Sequence, residues 1–128
     1  MLTPGILGQS SCLVTNENSA ASMGSGLLPV YATPAMIALI EKAACESVLP
    51  HLEDGCGTVG TELKVKHLAA TPLGMTVTAK TELVAVEGRK LTFKVEAFDE
   101  AGKIGEGEHE RFIIQNEKFM AKTNAKKA

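Results

Sequence analysis

Glu41, His67 and Thr33 are the residues of this chain best placed to move protons and hold charge. Glu41 lies in the segment 30–51, where apolar residues recur at helical spacing. At 100° per residue Met36, Ile37, Ile40, Ala43, Ala44, Ser47 and Val48 share one face, and Lys42 and Glu46 lie opposite. Glu41 falls beside Ile37 and Val48, on the flank of the apolar stripe. On the helix alone it reads as an edge glutamate that snorkels to water, but a carboxylate drawn inward must find a partner or a proton. His67 lies in the alternating run 58–69, with Leu63, Val65 and Ala69 on its side and Glu62, Lys64 and Lys66 on the other. A lone histidine so placed is more often a hydrogen-bonded core residue than a catalyst. A carboxylate and an imidazole on the inward faces of two elements that pack together are the ingredients of an acid/base pair.

Thr33-Pro34 opens the helix well, because a threonine N-cap accepts from a free backbone amide and proline is pre-shaped for the first helical position. Thr33 precedes Glu41 by eight residues, roughly 12 Å along a helix axis, so the two cannot bond directly. If both act, a substrate or the histidine must lie between them, or they must belong to different parts of the reaction. The amides of Ala35 and Met36, at the positive end of the helix, suit polarisation of a carbonyl oxygen. Gly60 heads the His67 strand, where a missing side chain suggests close approach of a ligand or a partner chain. Gly105 and Gly107 read equally as bulges. His109 shares their side with Arg111 and is expected in a structural or surface role, and His51 complements the dipole at the helix end.

The elements that must hold these residues follow from the pattern. A first strand is expected within 7–15, a loop over 16–26, and then the long helix, ended by Pro50. Strands follow over 58–69, 75–86, 90–98 and 104–114, separated by Thr71-Pro72-Leu73-Gly74, Glu87-Gly88 and 99–102. One helix followed by antiparallel strands makes an α+β layer structure in which the sheet wraps the helix, the hot-dog arrangement. A single domain spans 1–120. The lysine-rich end is read as frayed and solvated, with 121–128 a flexible polar tail. One sheet around one helix leaves an edge strand and an unfinished core, so a homodimer, or a higher oligomer built from it, is expected.

Composition narrows the function. At 128 residues with no tryptophan and a formal net charge of −2, the chain can bury an aliphatic core but has no basic stripe for nucleic acid. Cys12, Cys45 and Cys56 form no C-x-x-C pair, and no histidine stands at ligand spacing, so no metal is expected and reduced thiols in a cytoplasm are. No window suggests a signal peptide or a membrane span. The nucleophile elbow, phosphate loop and H-E-x-x-H motif are all missing.

The runs VYATPAMIALIEKAA, VGTELKVKHLAATPLGMTVTA and VEGRKLTFKVEAFDEAGKIGEGEHERFII resemble the hot-dog thioesterases related to fluoroacetyl-CoA thioesterase, over about residues 13–120. That resemblance implies hydrolysis of a short acyl-CoA thioester near a dimer interface, with CoA as part of the substrate and no cofactor. It gives Thr33, Glu41 and His67 the catalytic roles and matches the family's glycine ahead of the histidine at Gly60; with Gly60, Tyr31 as the aromatic nearest the loop and Ala35 and Met36 at the helix start are expected against the substrate. It leaves the acyl group open, because the family's aromatic lid has no phenylalanine counterpart in the loop 18–28. A non-catalytic hot-dog module that binds an acyl-CoA or another small apolar ligand is the alternative.

Overall fold

The computed structural model describes residues 2–127. Strand β1 (Leu7–Leu13) leads to a short helix α1 (Ala20–Met23) and the long helix α2 (Thr33–Val48). Strands β2 (Cys56–His67), β3 (Thr76–Glu87), β4 (Lys90–Phe98) and β5 (Lys103–Gln115) follow, and helix α3 (Asn116–Asn124) ends the fold. The five strands form one antiparallel sheet in the order β1-β3-β4-β5-β2, with β1 and β2 at its edges.

The sheet curls around α2, which buries Met36, Leu39, Ile40, Ala43, Ala44 and Val48. Against them stand Val77, Ala79 and Leu83 of β3, Leu91, Phe93, Val95 and Ala97 of β4, and Ile104 of β5. Each large aliphatic side chain so buried contributes about 1.5–3 kcal/mol. Strict alternation on β4 fixes which face turns inward, and Gly88 takes φ 63°, the left-handed conformation that its tight hairpin needs. Gly105 lets the sheet close on the helix, since a Cβ there would run into the Met36 thioether at 2.7 Å.

Two segments differ from the sequence reading. The loop 16–26 contains a 3-10 turn at Asn16–Asn18 and the helix α1, capped by Ser19, whose hydroxyl accepts from the Ser22 amide at 3.2 Å. The end of the chain is helical over Asn116–Asn124 and turns again at Ala125–Lys127, although its side chains are exposed. Position 1 of the expected domain and position 128 of the expected tail lie outside the described residues.

Edge strand β2 holds the geometry on which the site depends. Its pairing with β5 slips by one residue between Gly60 and Glu62, leaving Thr61 as a bulge. Thr58, Gly60, Leu63, Val65 and His67 therefore pair with Ile113, Arg111, His109, Gly107 and Gly105 of β5 and share their inward side. This row faces one flank of α2, where Thr33, Ile37 and Glu41 recur every four residues. The seam is only partly covered, with Leu63 36% exposed and Ile37 and Val65 half-buried.

Candidate active site

Two polar clusters lie along this seam. At its helix-start end, Thr33 Oγ1 and His67 Nδ1 are 2.7 Å apart. Thr33 is not the helix cap expected from the sequence. Ala32 occupies the cap position with no side-chain bond, and Thr33 is the first helical residue, followed by Pro34. Proline at that second position has no amide to satisfy, so the threonine hydroxyl is free to meet the histidine. Burial holds the His67 pKa below its usual value, with the Ala69 backbone acting in the opposite direction. Its other ring nitrogen, Nε2, is buried without a hydrogen-bond partner among the described residues. Buried imidazole nitrogens rarely remain unsatisfied, and such an atom marks a place where something else binds.

His67 lines a pocket of about 300 Å³ together with Ala20, Ser25, Tyr31, Thr33 and the residues that follow it. Tyr31 is fully buried, and its hydroxyl lies 3.5 Å from the Cys12 sulfur. Burial above all, then that contact, raises its phenol far above the ordinary range, so it stays protonated. The ring also borders a second cavity of about 460 Å³, together with Ala35, Ala38 and Leu39. Met36 lines neither cavity and packs in the core. Its amide is bonded to the Ala32 carbonyl at 3.0 Å, which corrects the expectation of a free donor there. Ala35, one position earlier, precedes the first intrahelical bond and keeps its amide available.

The second cluster surrounds Glu41. This carboxylate meets Arg111, not His67: Arg111 Nη1 is 3.4 Å from Glu41 Oε2. Arg111 is itself fixed, donating from Nε to Thr58 Oγ1 at 2.8 Å and from Nη2 to the Thr58 carbonyl at 3.0 Å. Its Nη1 also lies 3.2 Å from Nε2 of His109, whose Nδ1 is 2.8 Å from the Glu62 carbonyl beside the bulge. With Nη1 donating, His109 must be neutral with its proton on Nδ1, which donates in turn to Glu62. Burial keeps the His109 pKa low, in agreement with that assignment. The ring stacks on Phe93 with centroids 6.1 Å apart. His109 and Arg111 are thus buried network members, so of the structural or surface role expected for the histidine it is the structural one that the fold shows. The sequence did carry a signal. Glu106, Glu108 and Glu110 alternate with Gly105, Gly107, His109 and Arg111, and the acidic set marks the solvent side.

Gly60 belongs to this second cluster. A Cβ on it would collide with Glu41 Oε2 and press on His109 Cε1 at 3.2 Å. The close approach expected of this glycine is therefore to the Glu41 carboxylate. Among the described residues no group of His, Cys, Asp and Glu is arranged to hold a metal ion. No helix is long and apolar enough to cross a membrane.

A curled antiparallel sheet around one long helix, with this polar seam on its flank, is the hot-dog fold of the thioesterase superfamily. A Thermus thermophilus thioesterase superfamily member superposes with a TM-score of 0.90 at 31% identity, over 98% of this chain and 93% of that one. The family model for FlK, the fluoroacetyl-CoA-specific thioesterase, matches residues 14–117, and the chain belongs to that family. The fluoroacetyl-CoA thioesterase of Streptantibioticus cattleyicolor is 48% identical over 97 residues, 76% of this chain and 70% of that protein. A solved FlK structure in complex with acetyl-CoA superposes with a TM-score of 0.94 at 36% identity, covering 99% of this chain and 100% of that one.

Proposed function

We propose that this protein hydrolyses a short acyl-CoA thioester to the free acid and CoA, using Thr33, Glu41 and His67. The observation that carries the reading is the unpartnered, buried Nε2 of His67, whose ring bonds the Thr33 hydroxyl and lines a pocket with Thr33, Ser25 and Tyr31. Membership of the family gives the reaction class, and this geometry supplies its chemistry.

One protomer holds the two clusters apart, and a second copy brings them together. The outer edge of β2 is unpaired in the sheet order. Antiparallel pairing of two β2 strands centred between Leu63 and Lys64 sets Gly60, with Glu41 behind it, opposite the partner's His67 and near the partner's Thr33. It also covers the partly exposed Leu63, Val65 and Ile37. The protein is accordingly a homodimer with two composite sites related by its twofold axis. Its three free cysteines suit a reducing cytoplasm.

In each site the Glu41 carboxylate either attacks the thioester carbonyl or takes the proton from a water that does so. Both routes need the carboxylate aimed, and its contact with Arg111 provides this. Thr33 and the Ala35 amide face the carbonyl oxygen, where negative charge develops. His67 is neutral because burial disfavours its cation, so it can activate water and then deliver the proton to the departing CoA thiolate. Either tautomer leaves Nε2 as the exchange position, because Nδ1 is engaged by Thr33.

The test is release of CoA thiol from a panel of short, branched and aromatic acyl-CoAs. Glu41→Gln and His67→Ala are each expected to lower turnover at least about a hundredfold while leaving a folded dimer. Near-wild-type rates in both would discard the mechanism, and saturable binding with no turnover in the wild type would favour the binding module instead.

A further inference from the structure

The C-terminal helix contributes a cationic pocket that the reaction described above does not use. Lys118, Phe119 and Lys122 recur on one face of α3, and with Arg89 of the β3–β4 turn, Ile114 and Gln115 they line a pocket of about 260 Å³. Among the described residues Arg89, Lys118 and Lys122 make no ion pair with a carboxylate, and nearby Glu110 is taken up by Lys90 at 3.5 Å. Glu117 lies off that face, about 140° around the helix from Lys122 and about 160° from Phe119. The Arg89 guanidinium lies 5.8 Å over the Phe112 ring, and Phe119 is 38% exposed. Three open cations beside an accessible aromatic ring are unusual on a chain of net charge −2. Cations that meet phosphate oxygens and a flat ring that stacks on a base together match a phosphorylated nucleotide.

The place of the pocket in the fold connects it to the site. Gln115 pairs with Cys56, at the end of β2 remote from the same protomer's His67. From Gln115 to Arg111, which holds Glu41, is four residues of β5, about 13 Å. In the edge-to-edge dimer, Cys56 falls a few residues beyond the partner's His67, so the pocket flanks the mouth of the partner's Thr33–His67 cavity. The pantetheine arm of CoA has a backbone as long as an extended peptide of four to five residues, about 15 Å, and spans that interval.

We propose that Arg89, Lys118 and Lys122, with Phe119, hold the phosphorylated adenosine end of a CoA thioester whose acyl end lies between Glu41 and the partner's His67. The inference rests on the thioesterase reading and its dimer, and it assigns the recognition of the nucleotide to the C-terminal helix. Turnover then needs the pantetheine arm alone, and the helix sets affinity.

The experiment compares the wild type with Lys118→Ala/Lys122→Ala, a pair of changes on exposed helix positions where alanine is well tolerated. Binding of CoA, 3′-dephospho-CoA and pantetheine is measured by calorimetry, and kinetics are run on matched acyl-CoA and acyl-pantetheine thioesters. The double variant is expected to bind CoA at least about tenfold more weakly, with a shallower salt dependence and an unchanged affinity for pantetheine. KM for the acyl-CoA should rise in parallel while kcat holds, and Lys118→Arg/Lys122→Arg should retain the wild-type values. Equal CoA affinity and equal KM in wild type and double variant would overturn the nucleotide site while leaving the thioesterase reading intact. A wild type that hydrolyses neither thioester would overturn the thioesterase reading, and the CoA binding comparison would still decide the nucleotide site. A wild type with no affinity for CoA would overturn it outright.

Discussion

Replacing Gly60 by alanine isolates the placement of the Glu41 carboxylate from its chemistry. The new methyl group would enter the space now held by Glu41 Oε2, which must retreat by about 1 Å, the order of misplacement that costs a hundredfold in rate. The neighbours cannot give way as easily. His109 is locked by its bond to Glu62 and by Phe93, and Arg111 by Thr58. Stability should change little, because a half-exposed glutamate can swing outward and Gly60 does not have a positive φ for alanine to resist. Alanine also reduces the freedom of the unfolded chain, offsetting about 0.4–1 kcal/mol of any crowding. The expected outcome is a kcat lowered about a hundredfold, with a denaturation midpoint close to that of the wild type. The assay is CoA thiol release beside urea unfolding, run also on Glu41→Gln and on the double variant. Because both changes act through one carboxylate, the double variant should be scarcely slower than either single one. A Gly60→Ala enzyme with wild-type kcat, or full additivity in the double variant, would refute the reasoning.

Arg111→Gln should cost at least tenfold in kcat and about 1–3 kcal/mol in stability, since Glu41, His109 and Thr58 lose a shared partner in a buried network; an unchanged urea midpoint would show that the network relaxes freely. Acid should destabilise the fold earlier than the carboxylates alone require. His67 and His109 are held below their usual values by burial, so below about pH 6.5 the unfolded chain binds more protons than the native one. Their stabilising contribution is complete above that pH and is lost as pH falls toward the lower native values, so melting temperature should decline from pH 7 to 5 and His67→Gln should flatten the decline. A flat profile in the wild type would contradict the burial argument. Leu63→Arg, at the centre of the proposed β2 pairing, should yield monomers by light scattering at micromolar concentration and lose turnover with the dimer; a wild type that is already monomeric would remove the composite site.

The strands could be read from the sequence because they alternate, β4 most strictly, and its bounds match expectation at both ends. The helix was equally legible through its apolar stripe, although its last turn tightens to a 3-10 geometry at Leu49–His51 and takes in Pro50 instead of stopping before it. Residues whose roles depend on contacts distant in sequence were harder to place. Thr33 had the type and position of a cap, and only its distance to His67 shows that its hydroxyl is spent elsewhere. Arg111 lies 70 positions from Glu41, and nothing local to either announces the pair. The face of α3 was masked by its lysines, because their charge reads as solvation when the neighbouring Arg89 comes from another part of the chain.

The bulge at Thr61 gives the seam a parity. Counting along a regular strand, Gly60 and His67 are an odd number of residues apart and would face opposite ways. The one unpaired residue between them turns odd into even, so the strand carries its glycine and its histidine on the same side. The seam is therefore set by the register of β2 as much as by its side chains. A chain that kept Thr61 but paired it in register would retain Thr33, Glu41, His67 and Gly60 and yet present Gly60 and His67 to opposite faces of the sheet, whereas deletion of Thr61 would leave the two six residues apart and on the same face.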